Sequence, residues 1–290
     1  MDDIQRRRVV GIIISTILAI IIIGGFVGYK AWVYYNNTPE KIAQKFMDAF
    51  SMYSSPEMEK YSTVEFWKRD GGYYENISRA IGILADNIAK DKGIPKAMLK
   101  PQIKIEIPSI DKWQRSKTAT AITFSYDGEV VLTFPESPTL SSARVSIHAN
   151  FIVKMCKLSQ GWRVCDFQRV RKYADWTVYE FIEARMSAYT ERLENMLCTD
   201  ADNSIKLYIN NYDTMVHTVA GDANIAWVIS HIDSLKVDGD NAFVEYGLFK
   251  VSSQDPTNPV YKWKYVDVKE SLRLCEQNGV WYIKSIDFIR

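Results

Sequence analysis

The sequence predicts an α+β protein: an N-terminal transmembrane helix followed by two similar domains, each a long helix and an antiparallel sheet. Three observations predict it. Residues 9–29 carry no charge over 21 positions. Beyond them, apolar residues at helical spacing give way to alternating, β-branched segments, and this order occurs twice. The two occurrences share short sequence matches at nearly constant offset.

The anchor comes first. At about 1.5 Å per residue, 21 helical residues span about 30 Å, the thickness of a bilayer core. Val9, Ile13, Ile17, Ile21 and Phe26 represent its apolar surface. Trp32, Tyr34 and Tyr35 follow, suited to the membrane interface. Arg6, Arg7 and Arg8 precede the span and only Lys30 follows closely, so residues 1–8 are expected in the cytoplasm and the C-terminal region outside it. A cleaved signal peptide fits less well, because the stretch is long and no small-x-small site precedes Trp32.

The remainder has the composition of an ordered protein, with 47% hydrophobic residues overall. Setting aside Arg6, Arg7, Arg8, Lys30, Asp2 and Asp3, the 36 basic and 35 acidic residues become 32 and 33. Such a balance leaves no surplus for neutralising nucleic acid, so no direct nucleic-acid binding is expected. Arg163, Arg169, Arg171 and Lys172 form a basic run, read as part of a mixed solvated surface.

The first domain is expected over 38–172. Thr38 caps a helix that Pro39 begins, with Ile42, Phe46, Phe50 and Tyr53 on one face. A second helix is expected over 73–92. Ile103, Ile105 and Ile107 alternate as a strand. Residues 118–126 and 130–134 are expected as a hairpin turning at Asp127-Gly128. Long strands at 145–155 and 162–170 flank Ser159-Gln160-Gly161. The second domain is expected over 175–290. Thr177 and Glu180 have capping-box spacing. Val178, Phe181, Ile182, Arg185, Tyr189 and Leu193 recur at helical spacing, with Arg185 expected to snorkel to the surface. Strands at 226–237, 242–251, 261–275 and 280–289 follow, with turns at Asp238-Gly239 and Asn278-Gly279.

Two matches define the repeat. Ile107-Pro108-Ser109-Ile110-Asp111 pairs with Ile229-Ser230-His231-Ile232-Asp233, and Val153-Lys154-Met155-Cys156 with Leu272-Arg273-Leu274-Cys275. Trp162 and Trp281 stand just past equivalent turns and are expected as structural residues closing each core.

Of the four cysteines, a two-residue Gln160-Gly161 turn places Cys156 opposite Cys165, whereas a three-residue loop makes them miss; packed, unpaired thiols are the expected state. Cys198 and Cys275 are not expected to pair. No spacing of cysteines or of His148, His217 and His231 suggests a metal, and no nucleophile elbow, phosphate loop or dinucleotide fingerprint occurs. No catalytic, cofactor-binding or metal-binding residue is therefore expected. Asp111, Asp233 and His231 are the only acid–base candidates, and a strand-end role suits the two aspartates better.

A long amphipathic helix, shorter helices and a sheet ending in Gly161-Trp162-Arg163-Val164 or Gly279-Val280-Trp281-Tyr282-Ile283 resemble the nuclear-transport-factor-2-like, or cystatin-like, fold. That resemblance implies two cone-shaped domains, each with a curved sheet wrapped on its long helix. The whole plan resembles the bitopic scaffold proteins of conjugation and type IV secretion channels. It implies a non-enzymatic, single-pass membrane protein that contacts lipid, other envelope proteins and further copies of itself. The alternatives are a tethered ligand-binding or enzymatic cone acting on envelope substrates, and a partner module of cell-wall or sporulation machinery.

Overall fold

The computed structural model describes residues 37–99, 103–133, 144–187, 189–220, 226–253 and 263–289, with Ile21, Gly24 and Gly25. Those last three are helical; Val9, Ile13, Ile17 and Phe26 lie outside the described residues. Among the described residues no helix is long and apolar enough to cross a membrane.

The first half opens with α1 (Pro39–Ser51), which Thr38 caps by accepting the Lys41 amide at 3.3 Å. Ile42, Phe46 and Phe50 are buried along one face. Helices α2 (Ser55–Tyr61), α3 (Val64–Lys92) and α4 (Lys96–Leu99) follow. α3 begins nine residues before the expected Tyr73, running through Gly71 and Gly72. Both glycines serve close packing: a Cβ on Gly71 would meet the Trp67 indole at 2.7 Å, and one on Gly72 the Tyr189 hydroxyl at 2.7 Å.

Strands β1 (Lys104–Glu106), β2 (Gln114–Lys117), β3 (Ala121–Thr133), β4 (Arg144–Leu158) and β5 (Gly161–Arg169) make an antiparallel sheet. β1 and β2 share the outer side of β3. No hairpin forms at Asp127-Gly128. β3 runs straight through, with Asp127 opposite Asn150 and Gly128 opposite Ala149. The Asp127 carboxylate is instead occupied by Lys172 and Tyr173.

The second half repeats the order with α5 (Ala174–Ser187), α6 (Thr190–Glu194), α7 (Asn203–Ala220) and the meander β6 (Ala226–Asp238), β7 (Asn241–Ser253), β8 (Trp263–Gln277) and β9 (Val280–Ile289). α5 starts three residues before Thr177, so no capping box forms there; the Thr177 hydroxyl donates back to the Tyr173 carbonyl at 2.9 Å. Asn278 and Gly279, both at positive φ, turn β8 into β9.

Sheet register defines the repeat. Arg115 faces Phe124 as Leu235 faces Val244, an offset of 120. Each last hairpin bulges at the same place, between Lys154 and Met155 and between Arg273 and Leu274. Val164 bridges Ser62 as Ile283 bridges Leu197. The match between Asp111 and Asp233 is corrected by two residues, because the offset of 120 aligns Asp111 with His231. Asp111 lies in a 3₁₀ turn (Ile110–Lys112) and Asp233 inside β6.

Both cysteine expectations are also corrected. Ser159 and Gln160 form the turn, so Cys156 faces Arg163, and Cys165 occupies the bulge. The bulge carries Cys165 back within reach of Cys156, and the two are disulfide-bonded with Cα atoms 5.7 Å apart. Cys198 and Cys275 form a second disulfide, Cα to Cα 6.3 Å. That pairing follows from docking: the Cys198 amide donates to the Ile283 carbonyl at 2.8 Å, beside the strand carrying Cys275.

One contiguous apolar core runs through both halves. α5 explains this. It packs on β6, β7 and β9 of its own half and on α3 and β4 of the other, and every residue of it except Met186 is buried. Trp176 is enclosed, with its ring edge-on to Phe151 at 5.1 Å.

Candidate functional site

The polar residues of α5 create the most unusual chemistry among the described residues. Glu180 and Glu183 lie one turn apart on a helix with no solvent face, so their charges require partners. β5 supplies Arg169 at its end, and α3 supplies Tyr73. Arg169 Nη1 bonds Glu183 Oε2, and Arg169 Nη2 donates to the Tyr73 hydroxyl at 2.7 Å. Arg169 Nε lies 3.3 Å from Glu180 Oε1. The guanidinium also faces the ring of Tyr73 at 5.2 Å.

On the other side of Glu183, Oε1 accepts from the Tyr179 hydroxyl, which meets the Tyr53 hydroxyl at 2.6 Å. Tyr53 closes α1 in a left-handed conformation, φ 52°, unusual for an aromatic residue. That conformation is maintained while its side chain reaches the buried Tyr179. A hydrogen-bonded chain thus links α1, α5, β5 and α3. Burial pushes the Tyr53, Tyr73 and Tyr179 hydroxyls well above the usual phenol range. They remain protonated donors. Burial also raises the Glu180 carboxyl, against the pull of Arg169.

A second buried set lies inside the other half. Arg185 donates from Nη1 and Nη2 to Glu270 at 2.7 and 3.1 Å, and the Tyr246 hydroxyl donates to Glu270 at 2.9 Å. Arg185 therefore does not snorkel. Counted from the helix starts Pro39 and Ala174, its position matches Phe50 of the first half, while Glu270 and Tyr246 match Phe151 and Tyr126, so an ion pair stands where the first half packs aromatic rings.

The residues singled out by sequence are not gathered here. Asp111 is exposed, its carboxyl held below the usual range chiefly by the Ser109 hydroxyl. Asp233 is exposed, 3.3 Å from Lys269. The His217 and His231 side chains lie outside the described residues. Trp281 is 5% exposed, whereas Trp162 is only partly buried and packs at the core's edge. Cys198, Cys275 and Asp200 approach one another closely, but the disulfide occupies both sulfurs. The basic run divides: Arg169 is buried, Lys172 pairs with Asp127, and Arg171 turns toward the second half, its Nη2 donating to the Asn195 carbonyl at 3.1 Å.

An apolar groove of about 540 Å³ lies between α1, α2 and α3, lined by Ala49, Met52, Tyr53, Ile81 and Ala85. Elsewhere, β6 is the edge strand of the second sheet among the described residues. Leu235 and Val237, two residues apart on that strand, are 43% and 56% exposed.

No protein-family profile and no curated protein matches the chain. Among solved structures, it is similar to the intermembrane-space region of the chloroplast protein ARC6, at 14% identity over 41% of this chain and 95% of that one, TM-score 0.32. It is similar to a nuclear-transport-factor-2-like superfamily protein from Salmonella enterica serovar Typhimurium, at 11% identity over 39% and 84%, TM-score 0.34. A protein with a cystatin-like fold from Caulobacter vibrioides is similar at 12% identity over 39% and 85%, TM-score 0.30.

Proposed function

We propose that this protein is a single-pass envelope component that works by assembly. Residues 9–29 anchor it, residues 1–8 face the cytoplasm, and two cone domains, 38–172 and 175–290, bind other envelope proteins and further copies outside. The machine we assign it to is a conjugation or type IV secretion channel, on the strength of the tail–anchor–two-cone plan. Two disulfides using all four cysteines support an oxidising compartment for the folded region.

The observation that carries the assembly reading is the β6 edge. Natural sheets blunt an open edge with charge, and the first half does so with Arg115 and Lys117 on β2. The equivalent positions on β6 are Leu235 and Val237, apolar and exposed. A strand paired on one side only among the described residues, with apolar side chains at its end, is suited to accept an extended segment of a partner. Replacing Leu235 and Val237 with lysine copies the first half's solution. Crosslinking in membranes should capture complexes of the wild type and lose them in this double variant, with melting temperature unchanged. Complexes that persist undiminished would refute the edge as the contact. External protease on cells stripped of their wall should remove the region beyond residue 36; its protection would reverse the orientation.

A further inference from the structure

A cleft of about 350 Å³ opens where the two halves meet. Arg169 and Arg171 reach it from the end of the first sheet, and Glu180, Arg192 and Asn195 from the helices of the second half. Arg171 stands 4.8 Å from the centre of the Tyr282 ring, and its Nη2 donates to the Asn195 carbonyl at 3.1 Å at the cleft, which leaves Nη1 and Nε for a ligand. Arg192 lies over the Tyr73 ring at 3.8 Å, half-buried. Its guanidinium makes no hydrogen bond or ion pair among the described residues. Behind it, Arg169 Nε and Glu180 Oε1 are buried and face each other as an ion pair at 3.3 Å.

The charges do not cancel. Arg169, Arg171 and Arg192 face Glu180 and Glu183, which leaves one positive charge in excess. Burial raises the Glu180 carboxyl, and any proton it takes up increases the excess toward two. A half-buried guanidinium without an ion-pair contact has lost part of its hydration, and an oxyanion entering the cleft would offset that loss. The planar fork of arginine matches pairs of phosphate or carboxylate oxygens. A phosphate carries one charge as a diester and one to two as a monoester, which spans the excess in the cleft. The volume lies toward the small end of the range for ligand pockets, roughly 300–1,000 Å³.

We propose that this cleft binds a phosphate group, held between Arg171 and Arg192 with Arg169 behind them. The group comes either from a small soluble phosphate monoester or from a phospholipid headgroup. Both sources can be tested on the full chain in non-ionic detergent. Glycerol 3-phosphate is titrated by calorimetry in one arm, and short-chain phosphatidylglycerol in the other. Saturable binding at one site is expected in one arm, and the arm identifies the source. Arg192→Gln should weaken it about tenfold or more, while Arg192→Lys should recover part of the loss. If Arg192→Gln lowers the ligand-free melting temperature, Arg171→Gln carries the comparison. Absence of binding in both arms, or affinity unchanged in both glutamine variants, overturns the proposal.

Discussion

The ion pair inside the second half offers a graded test of what its core requires. Arg185 and Glu270 have fully buried side chains joined by two hydrogen bonds, and Tyr246 donates a third to Glu270. Arg185→Met keeps the approximate volume but strands the carboxylate with only Tyr246. It also removes the guanidinium from the rings of Phe181 and Tyr208, 5.4 and 5.5 Å away. The loss should be about 3–5 kcal/mol. Adding Glu270→Leu removes the stranded charge and leaves only the Tyr246 hydroxyl without an acceptor, at roughly 1–3 kcal/mol. Adding Tyr246→Phe removes that cost as well. The first half shows that an apolar solution fits this position, since Phe50 and Phe151 meet there at 5.8 Å. The triple variant should therefore return to within about 1 kcal/mol of the parent or exceed it. Urea unfolding of the full chain, followed by tryptophan fluorescence and circular dichroism, measures the series. A steady decline from single to triple variant would show that the pair contributes net stability and would refute this reasoning.

Glu180 should make stability fall with rising pH. Its folded carboxyl titrates above the ordinary value of 4.5, so the folded state binds more protons there, and stability declines from that pH upward until the folded group has ionised. Glu180→Gln should flatten that part of the pH–melting curve, and an unchanged slope would exclude Glu180 as its source. The disulfides should differ in weight: replacing Cys198 and Cys275 with serine opens a 77-residue separation and should cost about 4.5 kcal/mol, against about 2.5 kcal/mol for the nine-residue separation of Cys156 and Cys165. Equal losses in urea unfolding would contradict that ranking. Trp281→Ala should cost about 3–5 kcal/mol and Trp162→Ala roughly 1–2 kcal/mol, because only the former side chain is enclosed. Equal losses would mean that Trp162 is packed more tightly than its exposure indicates.

The elements that local chemistry specifies were legible in the sequence. Thr38 and Pro39 mark a helix start because capping acts within one turn. Asn278-Gly279 marks a hairpin because only certain residues accept positive φ. Asp127-Gly128 carries the same signal and misleads, since tertiary bonds from Lys172 and Tyr173 hold Asp127 inside a continuous strand. The buried polar cluster was barely legible. Tyr73 and Glu183 lie 110 residues apart, and no local pattern announces their meeting. A trace exists in α5, where Glu180 and Glu183 interrupt an apolar helix at positions one turn apart. Periodicity assigns such residues to a solvent face, and α5 has none because a second layer covers it. Cys198–Cys275 was hidden for a related reason, since it depends on how the chain after α6 docks beside β9.

The enclosed helix α5 also sets a timetable for biosynthesis. The chain emerges N-terminus first, and the first sheet is complete at Arg169, before any of α5 exists. Until Trp176 arrives, Phe151 has Phe50 edge-on to it but lacks its second edge-on ring, and until Glu183 arrives, Arg169 lacks its counter-charge. The first half can therefore collapse early but cannot finish. At about 5–20 residues per second, the interval to the end of α5 is of the order of a second or more. During it, an apolar surface and an uncompensated arginine face solvent or a chaperone. A chain ending at residue 172 would remain in that state indefinitely, which makes the first half a client for quality control whenever synthesis stops early.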